Sequence, residues 1–150
     1  AKFIREQVKD AISNGATDII DKTNFKIAED SNCYVSPSVL INVNHSMSFM
    51  MDETFGPSVG IMKVTDENEA AQFMNDSPFG LTACVWTSDK EFALSFGKKI
   101  NTGTFFMNRC DYLDPGLAWT GVKDTGIGVT LSVLGFDHVT RAKSYHYRTV

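Results

Sequence analysis

Glu53 and Phe55 stand two residues apart, directly ahead of the pair Gly56-Pro57. A carboxylate can accept two hydrogen bonds from the neighbouring hydroxyls of a sugar, while an apolar ring covers the flat group beside that sugar. Proline then fixes the backbone immediately after the ring. The stretch is therefore suited to binding a ribose. The alternative, from the same residues, is a surface turn whose glutamate is solvated.

Composition limits the partners that the protein can have. The chain has 150 residues, of which 43% are apolar and 11% aromatic, so it can build a globular core in a single domain. A net charge of -4 with interspersed acids and bases excludes a basic stripe for nucleic acid. No apolar run approaches the roughly 18 to 20 residues that span a bilayer, and no signal pattern opens the chain. We expect a cytoplasmic protein that binds neither nucleic acid nor membrane.

The cysteines and histidines give no metal or disulfide pattern. Cys33, Cys84 and Cys110 are odd in number and lack Cys-x-x-Cys spacing, so we interpret them as reduced thiols. Cys84 falls in a predicted core strand as a small apolar residue. The three histidines are too scattered for a metal site. They are His45, His138 and His146.

Hydrophobic spacing predicts the elements of the first half. An amphipathic helix over residues 2–14 ends at Asn14-Gly15, and a short strand follows at residues 16–21. Asp30-Ser31-Asn32 is a predicted loop. Residues 34–43 form a strand in their second half, because Pro37 weakens the first. A short helix is predicted next, and four of its side chains are expected to contact the core, namely Met47, Phe49, Met50 and Met51.

Strands and helices alternate from residue 58 onward. Predicted strands cover residues 58–64, 81–87 and 104–108. One predicted helix begins at a cap formed by Thr65 or Asp66 and ends at Asn75. Another begins at a cap formed by Asp89 and ends at about Ile100. Crossovers of this length predict an α/β fold with a mostly parallel sheet and flanking helices. A Gly- and Asp-rich loop at 109–128, a helix at 129–140 and a partnerless strand at 143–150 complete the chain, and no linker divides it.

Five motifs occur in a fixed order along the chain. They are Tyr34-Val35-x-Pro37-x-Val39-Leu40, Glu53-x-Phe55-Gly56-Pro57, Asn75-Asp76-Ser77-Pro78-Phe79-Gly80-Leu81, Gly103-Thr104-x-x-x-Asn108 and Trp119-Thr120-Gly121-x-Lys123-x-Thr125-Gly126-x-Gly128. In order and spacing they resemble the motifs of the NAD(P)-dependent aldehyde dehydrogenase superfamily. In the third motif, Gly80 is expected to take a positive φ before its strand.

The resemblance implies the following organisation. Residues 1–150 correspond to the C-terminal part of the catalytic domain, with an oligomerisation strand at about 142–150 that makes the protein a homo-oligomer. Glu53 and Phe55 bind the cofactor ribose, and Asn108 and Trp119 lie at the substrate pocket. In the complete enzyme the cofactor is NAD or NADP and the substrate an aldehyde, which is oxidised to a carboxylic acid.

The chain also lacks parts of the family pattern. Neither the nucleophile motif Phe-x-Asn-x-Gly-Gln-x-Cys nor the general-base segment Glu-Leu-Gly-Gly occurs in these residues. We therefore expect no catalytic residue within the chain, no turnover by the chain alone and no cofactor bound by it alone. Trp119 and Thr120 depart from the family's Phe and Gly, which leaves the aldehyde open. The alternative function is a non-catalytic binding or assembly module that keeps the family fold.

Overall fold

The computed structural model describes residues 1–26, 33–110 and 112–150. The chain forms two compact units, Ala1–Asp76 and Ser77–Val150, which are described separately. The boundary lies directly after a helix, and no change of composition marks it in the sequence. The loop predicted at Asp30–Asn32 lies outside the described residues.

The first unit packs two longer helices and a short one with a three-stranded sheet. Its elements are α1 (Lys2–Ser13), β1 (Thr17–Asp18), a 3₁₀ turn (Lys22–Asn24), β2 (Ser38–Ile41), α2 (Ser48–Met51), β3 (Ser58–Gly60) and α3 (Glu67–Asn75). The strand order is β1-β2-β3, with β1 antiparallel and β3 parallel to β2. The predicted strand at 58–64 is shorter than expected, because its pairing with β2 ends at Gly60.

The core of the first unit joins α1, β2 and the segment around α2. Leu40 is fully buried at its centre, and Met47 and Phe49 are almost as inaccessible. The cluster consists of Ala11, Ala16, Leu40, Val43, Met47 and Phe49. Met50 packs against the cluster while partly buried, so the predicted core contacts of Met47, Phe49 and Met50 are confirmed. The short helix is α2, which begins after Met47, and Met51 is not part of the cluster.

Side-chain caps fix the starts of the two later helices. Asp66 accepts hydrogen bonds from the backbone N–H groups of Asn68 and Glu69 at 2.8 and 2.9 Å, which begins α3. In the second unit, Asp89 accepts one from Phe92 at 2.9 Å and begins α4. Each carboxylate satisfies N–H groups that have no partner inside the helix, so both predicted caps are confirmed.

The second unit contains three two-stranded sheets and two helices. Its elements are β4 (Phe79–Gly80), β5 (Thr82–Val85), α4 (Lys90–Gly97), β6 (Thr104–Met107), β7 (Trp119–Thr120), β8 (Val122–Lys123), β9 (Val129–Thr130) and α5 (Gly135–Val139). β5 and β6 are parallel with α4 between them, which is the predicted βαβ unit. The pairs β4-β8 and β7-β9 are antiparallel. The α/β class is thus confirmed, with mixed sheets.

Aromatic packing holds α4 on its sheet. Phe96 lies 5.5 Å from Phe92 and 6.2 Å from Phe105 of β6, centroid to centroid. Ala93 and Ile100 are buried beside it. This small group is the buried apolar core of the second unit among its described residues.

The last part of the chain differs from its predicted pattern. Residues 129 and 130 form β9 and pair with β7, so the helix predicted from 129 is wrong in its first half. Leu131 and Ser132 then take positive φ values of 60° and 51°, which a helix cannot contain, and α5 begins only at Gly135. The strand predicted at 143–150 does not form here, since no described strand pairs with it.

Among the helices of the described residues, none has both the length and the hydrophobicity that crossing a bilayer requires.

Candidate functional site

The segment that carries Glu53 and Phe55 follows α2 and is tied to α1. The backbone N–H of Asp52 closes α2 on the carbonyl of Ser48 at 2.8 Å. Thr54 then donates its hydroxyl to Oε1 of Gln7, in α1, at 2.9 Å. Gly56 packs so closely on Ile4 that a side chain at 56 would displace the isoleucine. The segment is therefore anchored at residues 54 and 56.

Glu53 and Phe55 alternate with these anchors and face solvent. Glu53 is exposed, and its carboxylate accepts no hydrogen bond from any residue that the structure describes. The ring of Phe55 is 87% exposed. A free acceptor and an uncovered ring on a fixed backbone fit the hydroxyls and the flat face of a ribose with its base.

Gln7 is a positioning residue that the sequence interpretation missed. It is 5% exposed, and its amide nitrogen has no hydrogen-bond partner within the described ranges. Its signal was present in the helical spacing, because Gln7 lies three residues after Ile4 and four before Ala11, on the apolar face of α1. A polar side chain on such a face requires a partner, and Thr54 is that partner.

Asn108 ends β6 and ties it to the end of β5. Its side-chain oxygen accepts from the backbone N–H of Thr87 at 2.8 Å, and its side-chain nitrogen donates to the carbonyl of Thr87 at 2.7 Å. Its own N–H donates to Val85 at 2.8 Å. Asn108 holds a positive φ of 55°, which asparagine tolerates better than most residues. The amide is thus engaged with the main chain at the carboxyl ends of two parallel strands, the edge where α/β sheets bind ligands.

Trp119 lies in β7 and lines a cavity of about 190 Å³ in the second unit. The walls are mainly apolar and aromatic, with charged side chains among them. They comprise Thr104, Phe106, Arg109, Tyr112, Asp114, Leu117, Ala118, Trp119 and Leu131. Asn108 is not among these residues, so the structure brings Trp119 to the cavity wall and leaves Asn108 at the strand end next to Arg109.

Two charged groups of this cavity are held in different ways. The guanidinium of Arg109 lies 3.3 Å from the ring centroid of Tyr112. Asp114 instead turns its carboxylate to the backbone N–H of Gly116 at 2.8 Å. Neither Arg109 nor Tyr112 was predicted from sequence, although a cation directly after the asparagine of the Gly-x-x-x-x-Asn motif was a visible signal.

Close backbone contact explains the glycines of this region. A Cβ on Gly103 would overlap the carbonyl oxygen of Thr120, so β6 and β7 can approach here only without a side chain. Gly80 does not have the positive φ that was predicted. That prediction was wrong in its reason: a Cβ at 80 would lie 2.5 Å from Val122 and 2.8 Å from the carbonyl of Asn101, so space requires this glycine.

Thr120 fits its strand without distortion. It has no positive φ, so the family's glycine at this position is not needed for backbone freedom. Its hydroxyl donates to the carbonyl of Gly128 at 2.8 Å. The loop between β7 and β9 is thereby closed by a side chain that glycine lacks.

A second cavity, of about 500 Å³, lies in the first unit between α1 and the segment ahead of β2. Lys22 reaches it but is already engaged, at 2.9 Å from Asp18 and 2.7 Å from the Ser38 hydroxyl. Burial raises the pKa of Asp18, but hydrogen bonds from Lys22, Ser38 and two backbone N–H groups outweigh it and hold the pKa below its ordinary value.

None of the thiols or imidazoles is among the residues that line the two cavities. Cys84 is partly buried in β5, and Cys33 and Cys110 are exposed. His45 contacts Asp76 at 2.8 Å and packs on Phe73. Within the described ranges, no group of three or more His, Cys, Asp or Glu side chains is arranged to hold a metal ion.

Comparison with known proteins matches nearly the whole chain to one family. The profile of the "Aldehyde dehydrogenase family" matches residues 1–145. An aldehyde dehydrogenase of Paenarthrobacter nicotinovorans is 33% identical over 94% of this chain, which spans 30% of that protein. A succinate-semialdehyde dehydrogenase [NADP(+)] of Deinococcus radiodurans is 33% identical over 95% of the chain, which spans 29% of it.

Solved structures agree in fold. The succinic semialdehyde dehydrogenase of Streptococcus pyogenes in complex with NADP+ is 31% identical and superposes with a TM-score of 0.81, covering 90% of this chain and 29% of its own. The Mycobacterium tuberculosis aldehyde dehydrogenase complexed with NAD+ is 28% identical with a TM-score of 0.82, covering 92% and 28%. The chain spans under a third of these relatives, and it belongs to the aldehyde dehydrogenase family.

Proposed function

We propose that these residues form the C-terminal part of the catalytic domain of an NAD(P)-dependent aldehyde dehydrogenase, which oxidises an aldehyde to a carboxylic acid. The observation that carries the proposal is the presentation of Glu53 and Phe55, solvent-facing on an anchored segment, within a chain matched to the family over residues 1–145. When bound, the nicotinamide supplies the acceptor for the hydride.

The role of Glu53 and Phe55 is to hold the ribose of that cofactor. The carboxylate accepts from the two ribose hydroxyls, and the ring covers the adjoining flat face. The hydrogen bond from Thr54 to Gln7 fixes the backbone between Glu53 and Phe55, so the main chain of this segment does not have to be ordered when the cofactor arrives.

Asn108 and Trp119 serve the substrate end. Trp119 supplies apolar wall to the cavity, where the body of an aldehyde is held. Asn108 acts by shaping: its amide joins Thr87 to the end of β6 and so fixes the start of the loop that carries Arg109. Replacing Asn108 by alanine is expected to weaken substrate binding by loosening this loop.

The chemistry of aldehyde oxidation needs a thiolate nucleophile and a base, and the family's motifs for both are absent from these residues. We therefore expect no aldehyde-dependent formation of NADH or NADPH by residues 1–150 alone. Cys110 is an exposed thiol two residues after Asn108. Turnover by this chain that disappears in Cys110→Ser would overturn the assignment of chemistry to residues outside it.

Glu53→Gln in the full-length enzyme tests the ribose site. The amide keeps the shape but loses the charge, and a hydrogen bond to a charged group contributes roughly 1.5 to 3 kcal/mol, so we expect cofactor affinity to fall about tenfold. Hydride transfer should slow more than aldehyde binding weakens, because the nicotinamide is held less firmly. Glu67→Gln, at an exposed position of α3, is the matched control. Identical kinetics in both variants would support the alternative interpretation, in which Glu53 is a solvated residue of a surface turn.

We also propose a homo-oligomer joined through residues 142–150, in a reducing compartment such as the cytoplasm. Tyr145 and Tyr147 are 64% and 81% exposed and stack on one another 6.1 Å apart, which leaves an aromatic face on an unpaired segment. No disulfide joins the three cysteines, which agrees with such a compartment. Sedimentation of the protein with and without residues 142–150 tests the assembly, and a monomer in both cases contradicts it.

A further inference from the structure

The cavity beside Trp119 combines an apolar wall with one cation that has donors to spare. Its volume of about 190 Å³ is below the roughly 300 Å³ at which drug-sized pockets begin, so it admits a short chain of a few non-hydrogen atoms. Phe106 and Leu117 contribute apolar surface to it. A ligand here is therefore small and largely apolar where it contacts these walls.

Arg109 stands in the lining of this cavity and is held by stacking. Its guanidinium carbon lies 3.3 Å from the centroid of Tyr112, a contact that uses the flat face of the group and leaves its N–H donors at the edge. No described carboxylate forms an ion pair with it. Arginine keeps its charge at every physiological pH, and its donor edge matches a carboxylate in geometry.

Asp114 is the other charged group of the lining and would favour the opposite ligand, a cation. Its carboxylate oxygen already accepts the N–H of Gly116 at 2.8 Å and so stabilises its own turn. Arg109 has no such commitment to the main chain among the described residues. The positive side chain is thus the better placed to recognise a ligand.

We propose that Arg109 makes this pocket selective for aldehydes that carry a carboxylate at the far end of a short apolar chain. The carboxylate binds the guanidinium edge, and the chain lies against Trp119 and its apolar neighbours. That the ligand is an aldehyde rests on the proposed function. The pocket itself recognises a short carboxylate, whether or not a reaction follows.

The test measures binding without cofactor or turnover. The full-length protein is labelled with 5-fluorotryptophan, and the ¹⁹F resonance of Trp119 is assigned by its loss in Trp119→Phe. Trp86, which is 70% exposed and outside the lining, provides an internal reference for folding. Butanoate and its neutral isostere butanamide are then titrated. We expect a saturable shift of Trp119 with butanoate and affinity for butanamide about tenfold lower.

Variants separate the charge of Arg109 from its shape. Arg109→Met should remove the preference for butanoate, and Arg109→Lys should keep part of it, since lysine retains the charge without the bidentate edge. Lys98→Met, which removes an exposed cation at the end of α4 and outside the cavity lining, is the control and should leave the preference for butanoate unchanged. If Arg109→Met perturbs the Trp86 resonance, the conclusion is drawn from Arg109→Lys instead. A preference of that variant for butanoate over butanamide as large as the wild-type preference overturns the bidentate contact.

Other outcomes contradict the proposal directly. Equal affinity for butanoate and butanamide, or no saturable shift with either, overturns it. Preference for butylammonium that is lost in Asp114→Asn reassigns the pocket to cationic aldehydes. Cofactor binding at Glu53 is measured separately, so the ribose site and the carboxylate pocket can each fail while the other stands.

Discussion

The two compact units bury their apolar residues to very different degrees. Ala1–Asp76 encloses a cluster of six buried apolar side chains centred on the fully inaccessible Leu40. Ser77–Val150 buries Ala93, Phe96 and Ile100 but leaves many large apolar side chains exposed. The most exposed of these are Trp86, Leu94, Leu117, Ile127, Val133, Phe136, Val139, Tyr145, Tyr147 and Val150. The first unit is thus stabilised by its own core, whereas the apolar surface of the second is suited to contact with further protein.

The two candidate sites also differ in how their residues are positioned. In the first unit, a side-chain hydrogen bond between Thr54 and Gln7 anchors the segment that presents Glu53. In the second, the Asn108 side chain bonds the main chain of Thr87, and Gly103 also lies directly against the backbone carbonyl of Thr120. A side-chain hydrogen bond can be removed by one polar substitution, whereas a close approach of two backbones is sensitive to any added volume.

The largest expected effect comes from one leucine-to-alanine change made in both units. Leu40→Ala should lower the free energy of unfolding by about 2 to 5 kcal/mol, because it loses buried apolar contact and leaves a cavity. Leu94→Ala, at a side chain that is 64% exposed, should change it by no more than about 0.5 kcal/mol. Urea denaturation followed by circular dichroism measures both. Equal losses of unfolding free energy in the two variants would show that Leu94 belongs to a packed core despite its exposure.

The parts of this fold that sequence predicts are those with local causes. Asp66 and Asp89 cap the N–H groups two or three residues ahead, and α1 shows its buried face in its own spacing, so each could be identified from a short window. Val129 was assigned to a helix because its partner, Thr120, lies nine residues back in a different strand. Pairing at that distance leaves no periodic mark.

Site prediction divides in the same way. Glu53 and Phe55 could be proposed as ribose ligands because their chemistry lies within one motif, and the structure leaves both side chains accessible. Gln7 and Thr54 lie 47 residues apart, so their hydrogen bond could not be inferred from either residue alone. Gly80 was correctly singled out but for the wrong cause, since the atoms that exclude a Cβ belong to Val122 and Asn101.

The next effect in size tests backbone positioning in the second unit. Gly103→Ala places a methyl group on the carbonyl of Thr120, which cannot move aside as a flexible side chain would, so we expect a loss of about 1 to 3 kcal/mol. Gly116→Ala is the matched control, because the added Cβ would lie 3.3 Å from the Asp114 side chain. Thermal unfolding of both variants gives the difference. A Gly103→Ala protein as stable as Gly116→Ala would show that β6 and β7 do not approach this closely.

A smaller effect, confined to acid pH, is expected in the first unit. Hydrogen bonds hold the folded-state pKa of Asp18 below its ordinary value, so its contribution is complete above the unfolded pKa and is lost as the pH falls through the folded one. Asp18→Asn removes the ion pair with Lys22 and should cost about 1 kcal/mol at neutral pH. The difference in free energy of unfolding between the wild type and Asp18→Asn should decrease below about pH 4. Asp137→Asn, exposed in the second unit, should show no such narrowing. A pH-independent gap at position 18 would contradict the ion pair.

The smallest effect compares the two helix caps, which are the same residue type with different numbers of bonds. Asp66 satisfies two N–H groups at the start of α3, whereas Asp89 satisfies one at the start of α4. Loss of a cap costs about 1 kcal/mol, so Asp66→Ala should destabilise slightly more than Asp89→Ala. Asparagine at either position restores the acceptor and should recover most of the loss. Hydrogen exchange at Asn68, Glu69 and Phe92 resolves each helix start separately. Greater loss at Asp89 would mean that the sparse core of the second unit makes α4 depend on its cap more than α3 does.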